Sequence, residues 1–286
     1  MENELQGYEG LSFLKMGKVE WIDSYSRYKS SWKWNRGPHI ESRLTLEWGR
    51  ALLKRGGLFV RNAYDFDSNA TTEYWYIIKD SYNGIKDVPS KYRSRVRKSL
   101  DKYEFNIVSK TFAIDNCYET YKAAAENYRV KTKTLNKRQF DNFVMSLDDK
   151  YDIWVSIDKE SGRVAGFAIN HVIDDMCDYD KMKFHPFFLK PISPSYGLIY
   201  RMNEYYLINK ALKYVSDGTR SITGHSEIQS FLIAKYHFRK AYCHVQMFYT
   251  WWLRIIVYLL FPFRSFFKNP SIRAMLNMEE IARKSR

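Results

Sequence analysis

Cysteine is scarce and scattered: three in 286 residues, at Cys117, Cys177 and Cys243, with no C-x-x-C pair. An odd, sparse set excludes a disulfide scaffold and suits a reducing compartment, each thiol serving as a small core hydrophobe. Long apolar runs are missing too. The most apolar segment, Trp251 to Phe263, holds 13 residues and includes Arg254, whereas a bilayer span needs about 20 apolar residues. The chain opens Met1-Glu2-Asn3-Glu4, with no basic start before an apolar stretch, so no signal peptide is expected. These readings predict a cytoplasmic protein, with peripheral contact to a membrane as the one variation.

Catalytic signatures are lacking as well. There is no G-x-S-x-G, no G-x-x-x-x-G-K-[ST] and no G-x-G-x-x-G. Six histidines (His39, His171, His185, His225, His237, His244) show no paired spacing with Cys or Glu that would build a zinc site, so no metal is expected. Internal repeats, low-complexity tracts and Gly/Ser linkers are also absent.

Aromatic residues and positive charge are abundant. Aromatics make up 17%, with 23 Tyr, and 46 Lys+Arg against 32 Asp+Glu give a formal net charge of +14. Such a surface favours anionic partners: nucleic acid, a phosphorylated cofactor or an acidic lipid surface. A mean hydropathy of −0.50 and a length of 286 residues fit a globular protein of one large or two modest domains.

The pattern of elements predicts a mixed α/β fold. Leu58 to Tyr64 and Thr72 to Ile78 read as a hairpin around Asp65 to Asn69. Asp87-Val88-Pro89-Ser90 opens a helix whose buried stripe is Tyr92, Val96, Leu100 and Tyr103, with Lys91, Arg95, Lys98 and Lys102 as a basic row. Asp115 to Asn127 and Leu135 to Leu147 are helix-like. Tyr151 to Ile157 and Arg163 to Val172 flank the turn Lys159-Glu160-Ser161-Gly162, followed by a strand over Met176 to Phe184. Ser193-Pro194 starts a helix carrying Leu198, Met202, Tyr205 and Leu212 inward. Tyr214 to Ser216 is a short strand ending at Asp217-Gly218, Ser226 and Gln229 form a capping box, and Ala241 to Tyr249 alternates as a strand.

From about Tyr118 to Tyr249 this order resembles the GNAT acyltransferase fold, close to the single-domain relatives of Fem-type aminoacyltransferases. The residues that carry the likeness are Val164-Ala165-Gly166-Phe167-Ala168, Ser195-Tyr196-Gly197-Leu198-Ile199-Tyr200 and Tyr214 to Ser221. Ile228-Gln229-Ser230-Phe231-Leu232 and Phe238 to Tyr242 complete it. The resemblance implies a splayed, largely antiparallel sheet flanked by helices, with an N-terminal strand and helix extension over 1–110, a core over 111–250 and an aromatic, basic C-terminal segment over 251–286. It also implies transfer of an acyl group from acyl-CoA to an amine by direct attack. The donor would be held at Ser195, Tyr196 and Gly197, at a helix N-terminus. Relatives that use acyl-CoA carry spaced glycines there, and this chain has Gly197 alone; Fem-type relatives use aminoacyl-tRNA, which suits +14.

Amine acylation needs a base, a site for the developing oxyanion and an acid for the leaving group. Asp217 is the candidate base or amine contact, against a plain turn-forming role. His225 is a candidate acid or base, against a helix cap, and Tyr236 a candidate acid hydroxyl, against core packing. Lys183, Arg220 and Gln229 are candidates for substrate binding; Arg220 alternatively pairs with Asp217 or Glu227. The acceptor would be a small-molecule or lipid-linked amine. Between Trp251 and Arg286 seven basic residues face two acidic ones, which reads either as an anionic membrane contact or as a cover for the sheet. A non-catalytic module binding RNA or such a membrane is the alternative, and no protein partner is identifiable.

Overall fold

The computed structural model describes residues 43–54, 57–127, 134–220 and 227–285, together with the backbone of four strands before residue 36. Those strands are β1 (Glu4–Gln6), β2 (Leu11–Met16), β3 (Val19–Ser26) and β4 (Lys29–Asn35). Next come α1 (Leu46–Lys54), β5 (Phe59–Tyr64), β6 (Tyr74–Lys79), α2 (Ser90–Lys102) and β7 (Tyr103–Val108). Three helices follow, α3 (Lys110–Asn116), α4 (Tyr118–Glu126) and α5 (Lys137–Ser146), then the strands β8 (Tyr151–Asp158), β9 (Val164–Ile173) and β10 (Met176–Phe184). The chain ends α6 (Ser195–Glu204), β11 (Tyr214–Thr219), α7 (Glu227–Tyr236), β12 (Arg239–Tyr249), α8 (Trp251–Leu260) and α9 (Pro270–Lys284). The fold is mixed α/β with largely antiparallel strands, as expected.

Two compact units emerge, each discontinuous in sequence: Met1–Tyr76 with Thr219–Ser226 and Lys240–Arg286, and Ile77–Gly218 with Glu227–Arg239. The helix α2 and strand β7, placed by sequence in an N-terminal extension, belong to the second unit. Long-range strand pairing, invisible in linear order, sets this division.

In the first unit β1 to β4 run antiparallel, β4 joins β5 in parallel and β5 pairs antiparallel with β12. The hairpin expected from β5 and β6 does not form, because β12 lies between them. Two apolar strands of similar length each gain more from a central partner than from each other. Leu52, Val60 and Phe248 form one core cluster. A Cβ on Gly49 would lie 2.3 Å from the Phe248 ring, so only glycine lets α1 sit this close.

In the second unit the strand order is β11-β10-β9-β8-β7. The β8–β9 turn closes on Gly162 at φ 67°, with Asp158 accepting from the Ser161 amide at 3.1 Å. Ile153, Val155, Phe167 and Ile169 are buried along these strands, and Phe140 and Phe143 of α5 are buried with them. Thr120 of α4 donates 2.6 Å to the Val164 carbonyl, and Asn136 and Gln139 form a capping box for α5.

Several boundaries differ from expectation. Tyr103 starts β7 instead of ending the helical stripe, since Tyr103, Phe105 and Ile107 alternate and pair with β8. The helix expected over 115–127 breaks at buried Cys117 into α3 and α4. A π-helical turn over Tyr205–Asn209 follows α6, and Tyr206 continues the i, i+4 face of Leu198 and Met202 in place of the expected Tyr205. Tyr206 is the buried tyrosine; it accepts from Trp154 at 3.0 Å and donates to Asp152 at 3.0 Å. All three cysteines are free and buried. Burial pushes the Cys117 and Cys243 thiols up to about 12, which leaves them inert as the sparse pattern predicted.

Candidate functional site

The second unit opens where its two parallel strands part. β10 and β11 pair at only three positions, Met176↔Tyr214, Cys177↔Val215 and Asp178↔Ser216. A bulge between Asp178 and Lys181 then bends β10, which continues to Phe184 alongside β9 alone. Gly218, at φ 76°, turns the chain two residues past the last β10–β11 pair, and its amide donates 3.0 Å to Ser216 Oγ. Asp217 stands between, on the first residue beyond the pairing. Ser216, not Asp217, forms the turn bond, so the aspartate carboxyl is left to other work.

Asp217 is half-buried. Burial, then the neighbouring Asp178 carboxylate, pushes its carboxyl well above the usual range. A carboxylate that holds its proton more tightly is a stronger base near neutral pH. Lys183 lies on the part of β10 that β11 no longer accompanies, at the register of Phe167.

A second feature surrounds the first turn of α6. Ser193 and Ser195 share a hydroxyl contact of 2.8 Å. The Gly197 amide donates 3.0 Å to Ser99 Oγ of α2, while Ser99 donates 3.1 Å to the Ser193 carbonyl. A Cβ on Gly197 would meet the Phe105 ring at 2.2 Å. Gly197 thus lets α2 and β7 pack closely, and one amide that a phosphate would use at this helix start is already bonded.

Tyr196 gathers two cations. Its phenol oxygen accepts from Arg95 at 3.0 Å and Lys235 at 2.9 Å. Burial pushes the phenol up, but the bonds and charges of Lys235 and Arg95 outweigh this and hold it below its ordinary value. The Lys235 ammonium also sits 3.9 Å over Phe231 and 5.2 Å over Tyr92. Two cations from α2 and α7 thus converge within aromatic walls.

The other expected residues have varied places. The Tyr236 hydroxyl is buried and donates 2.6 Å to the Tyr196 carbonyl, tying the end of α7 to the start of α6. Gln229 is buried on α7. Arg220 belongs to the first unit, where its guanidinium lies 4.7 Å over Trp75 and donates to the Glu73 carbonyl. His225 and Ser226 lie outside the described residues. In the sequence Arg95 is one of a basic row and Lys235 flanks Tyr236 as a possible phosphate contact or a solvated helix residue; tertiary packing alone brings the two to one oxygen. Among the described residues no group of three or more His, Cys, Asp or Glu could hold a metal ion.

No known family profile matches the sequence, and no curated protein does. Solved structures do. FemX superposes with a TM-score of 0.56 at 11% identity, covering 91% of this chain and 90% of that one. The C-terminal domain of a protein assigned as a lysylphosphatidylglycerol synthetase, from Agrobacterium fabrum, gives 0.53 at 9% identity over 90% and 86%. A GCN5-related N-acetyltransferase from Sphaerobacter thermophilus gives 0.43 at 8% identity over 84% and 81%. The chain has a GNAT-like fold related to that of Fem-type proteins.

Proposed function

We propose that the Ile77–Arg239 region is an acyltransferase acting on a nitrogen nucleophile, and that its donor is an aminoacyl ester of tRNA. The observation that carries this reading is the parting of β10 and β11 beyond Asp178 and Ser216, with Asp217 at the parting. A slot between splayed strands admits an activated carbonyl from one end and an amine from the other, so direct attack needs no covalent enzyme intermediate. Asp217 accepts the proton of the acceptor ammonium. Once Asp217 has passed that proton to solvent, the freed lone pair forms the C–N bond; as the C–O bond to the ribose breaks, the nitrogen's second proton moves through Asp217 to the departing ribose oxygen, leaving a neutral amide and a ribose hydroxyl.

The donor choice rests on the α6 start. Gly197 is committed to Ser99, and the anion-binding groups nearby are side chains, Arg95 and Lys235. Such cations suit a phosphodiester better than the backbone cradle that holds a coenzyme A pyrophosphate. The likeness to FemX and the charge of +14 support the same donor. Acyl-CoA is the second reading, favoured by α6 being the first α-helix after β10 in the chain. The acceptor is a small-molecule or lipid-linked amine.

The test is single-turnover transfer from radiolabelled aminoacyl-tRNA, and in parallel from labelled acyl-CoA, to a panel of amines. Label reaching an amine from aminoacyl-tRNA, lost about 100-fold in Asp217→Asn, supports the reading. Transfer from acyl-CoA alone replaces the donor, and transfer from neither overturns the enzyme.

A further inference from the structure

The C-terminal part of the first unit displays an apolar surface that its own core does not need. Within α8, Leu253 and Val257 are buried with Leu276 of α9. This hairpin is firmly anchored: Tyr249 donates 2.8 Å to Glu279, Arg283 donates 2.8 Å to the same carboxylate, and Arg264 donates 2.9 Å to Glu280. The remainder of α8 is exposed and almost wholly apolar: Trp251 (77%), Trp252, Ile255, Ile256, Tyr258 (70%) and Leu259. Phe263 and Phe266 (79%), on the 3₁₀ turn Phe261–Phe266, extend the same character.

At about 100° per residue these six helical positions cover an arc of about 160°. The buried stripe lies opposite, and Arg254, the one charge on α8, borders the exposed arc. A groove on a protein partner typically takes a narrower stripe of anchors, at i, i+4 and i+7. A broad arc of Trp, Ile, Leu and Tyr fits a flat apolar phase, with Trp and Tyr rings at the level of lipid headgroups. The charge is complementary to an acidic surface. Both acidic residues beyond Trp251, Glu279 and Glu280, are consumed in ion pairs, whereas Arg254, Lys268 and Arg273 are exposed without an ion pair among the described residues. No helix among the described residues is long and apolar enough to cross a membrane.

We infer that α8 and the turn after it lie in the interfacial layer of an anionic lipid bilayer, Trp251, Ile255 and Leu259 inserted and Arg254 and Lys268 at the headgroups. This holds whether or not the second unit transfers acyl groups. The full chain is floated with phosphatidylcholine vesicles and with vesicles of phosphatidylcholine and phosphatidylglycerol at 7:3. Binding to the mixed vesicles, weakened by salt, with Trp emission shifted to the blue and quenched by brominated lipid, is the expected result. The triple change Trp251→Ser, Ile255→Ser, Leu259→Ser, all at exposed positions, should lower partitioning by at least about tenfold with the circular dichroism spectrum unchanged. Arg254→Glu with Lys268→Glu should weaken binding to the mixed vesicles and leave any binding to neutral ones unchanged. Failure to float with the mixed vesicles overturns the inference, as does equal partitioning of the triple variant. A concentration-dependent dimer that the triple variant dissolves, without vesicle binding, would assign the face to a second copy of the chain instead.

Discussion

Lys235 donates 2.9 Å to the phenol oxygen of Tyr196, and Arg95 reaches the same oxygen from another helix at 3.0 Å. One neutral acceptor thus holds two cations that would otherwise repel, and keeps them aimed at a common point. A polyanion arriving there meets charge already assembled, with its ordering cost met during folding.

Lys235→Met and Arg95→Met should therefore weaken donor binding with little change in the chemical step. Each should raise KM for an aminoacyl-tRNA donor by about tenfold at near-constant kcat and reduce the salt slope of binding by about one. Filter binding of tRNA across a salt series checks this; unaltered slopes in both variants would remove the cluster from the donor site.

Asp217 carries opposite consequences for activity and stability. Its carboxyl is raised by burial and by Asp178, so activity that needs its deprotonated form should rise with pH through a limb lying above the ordinary carboxylate range. The folded state binds this proton more tightly than the unfolded chain, so the group costs stability once pH exceeds its unfolded value. Asp217→Asn should abolish the limb and the transfer, yet raise Tm at neutral pH. A lower Tm would show that the charged carboxylate stabilises the fold.

Gly197 is held to its identity by packing. Gly197→Ala places a methyl 2.2 Å from Phe105 and 2.9 Å from Ser99 Oγ, and should cost about 1–3 kcal/mol. Urea unfolding measures it. Adding Phe105→Leu should recover part of the loss, since the ring is the closest obstacle.

Buried Lys79 pairs with the partly buried Asp87 at 2.9 Å. Burial alone would raise Asp87, but the Asn83 amide and Lys79 outweigh it and hold the carboxyl below its ordinary value. The stability this pair contributes is present above the ordinary carboxylate range and is lost as pH falls through the lowered pKa. Asp87→Asn leaves Lys79 buried without its counter-charge and should cost about 3 kcal/mol at pH 7. The difference from wild type should shrink in acid, as urea midpoints from pH 7 down to 3 would record.

Local chemistry was enough for much of the fold. The Lys159–Gly162 turn, the Pro89 and Pro194 helix starts and the alternation along β12 are legible because each element's bonds and turn residues lie within a few positions of one another. The fold likeness rested on such blocks. Asp217 was legible too, since a strand followed by Asp-Gly marks an end wherever it occurs. The insertion of β12 between β5 and β6, the pairing that makes β7 a strand and the discontinuous units depend on partners up to about two hundred residues away. Pattern along the chain carries no trace of such distances, because an apolar strand offers the same ladder of donors and acceptors to any neighbour. The Arg95–Tyr196–Lys235 cluster belongs to that second kind: Tyr196 is legible at a helix start, but its two cations come to it only where three helices meet.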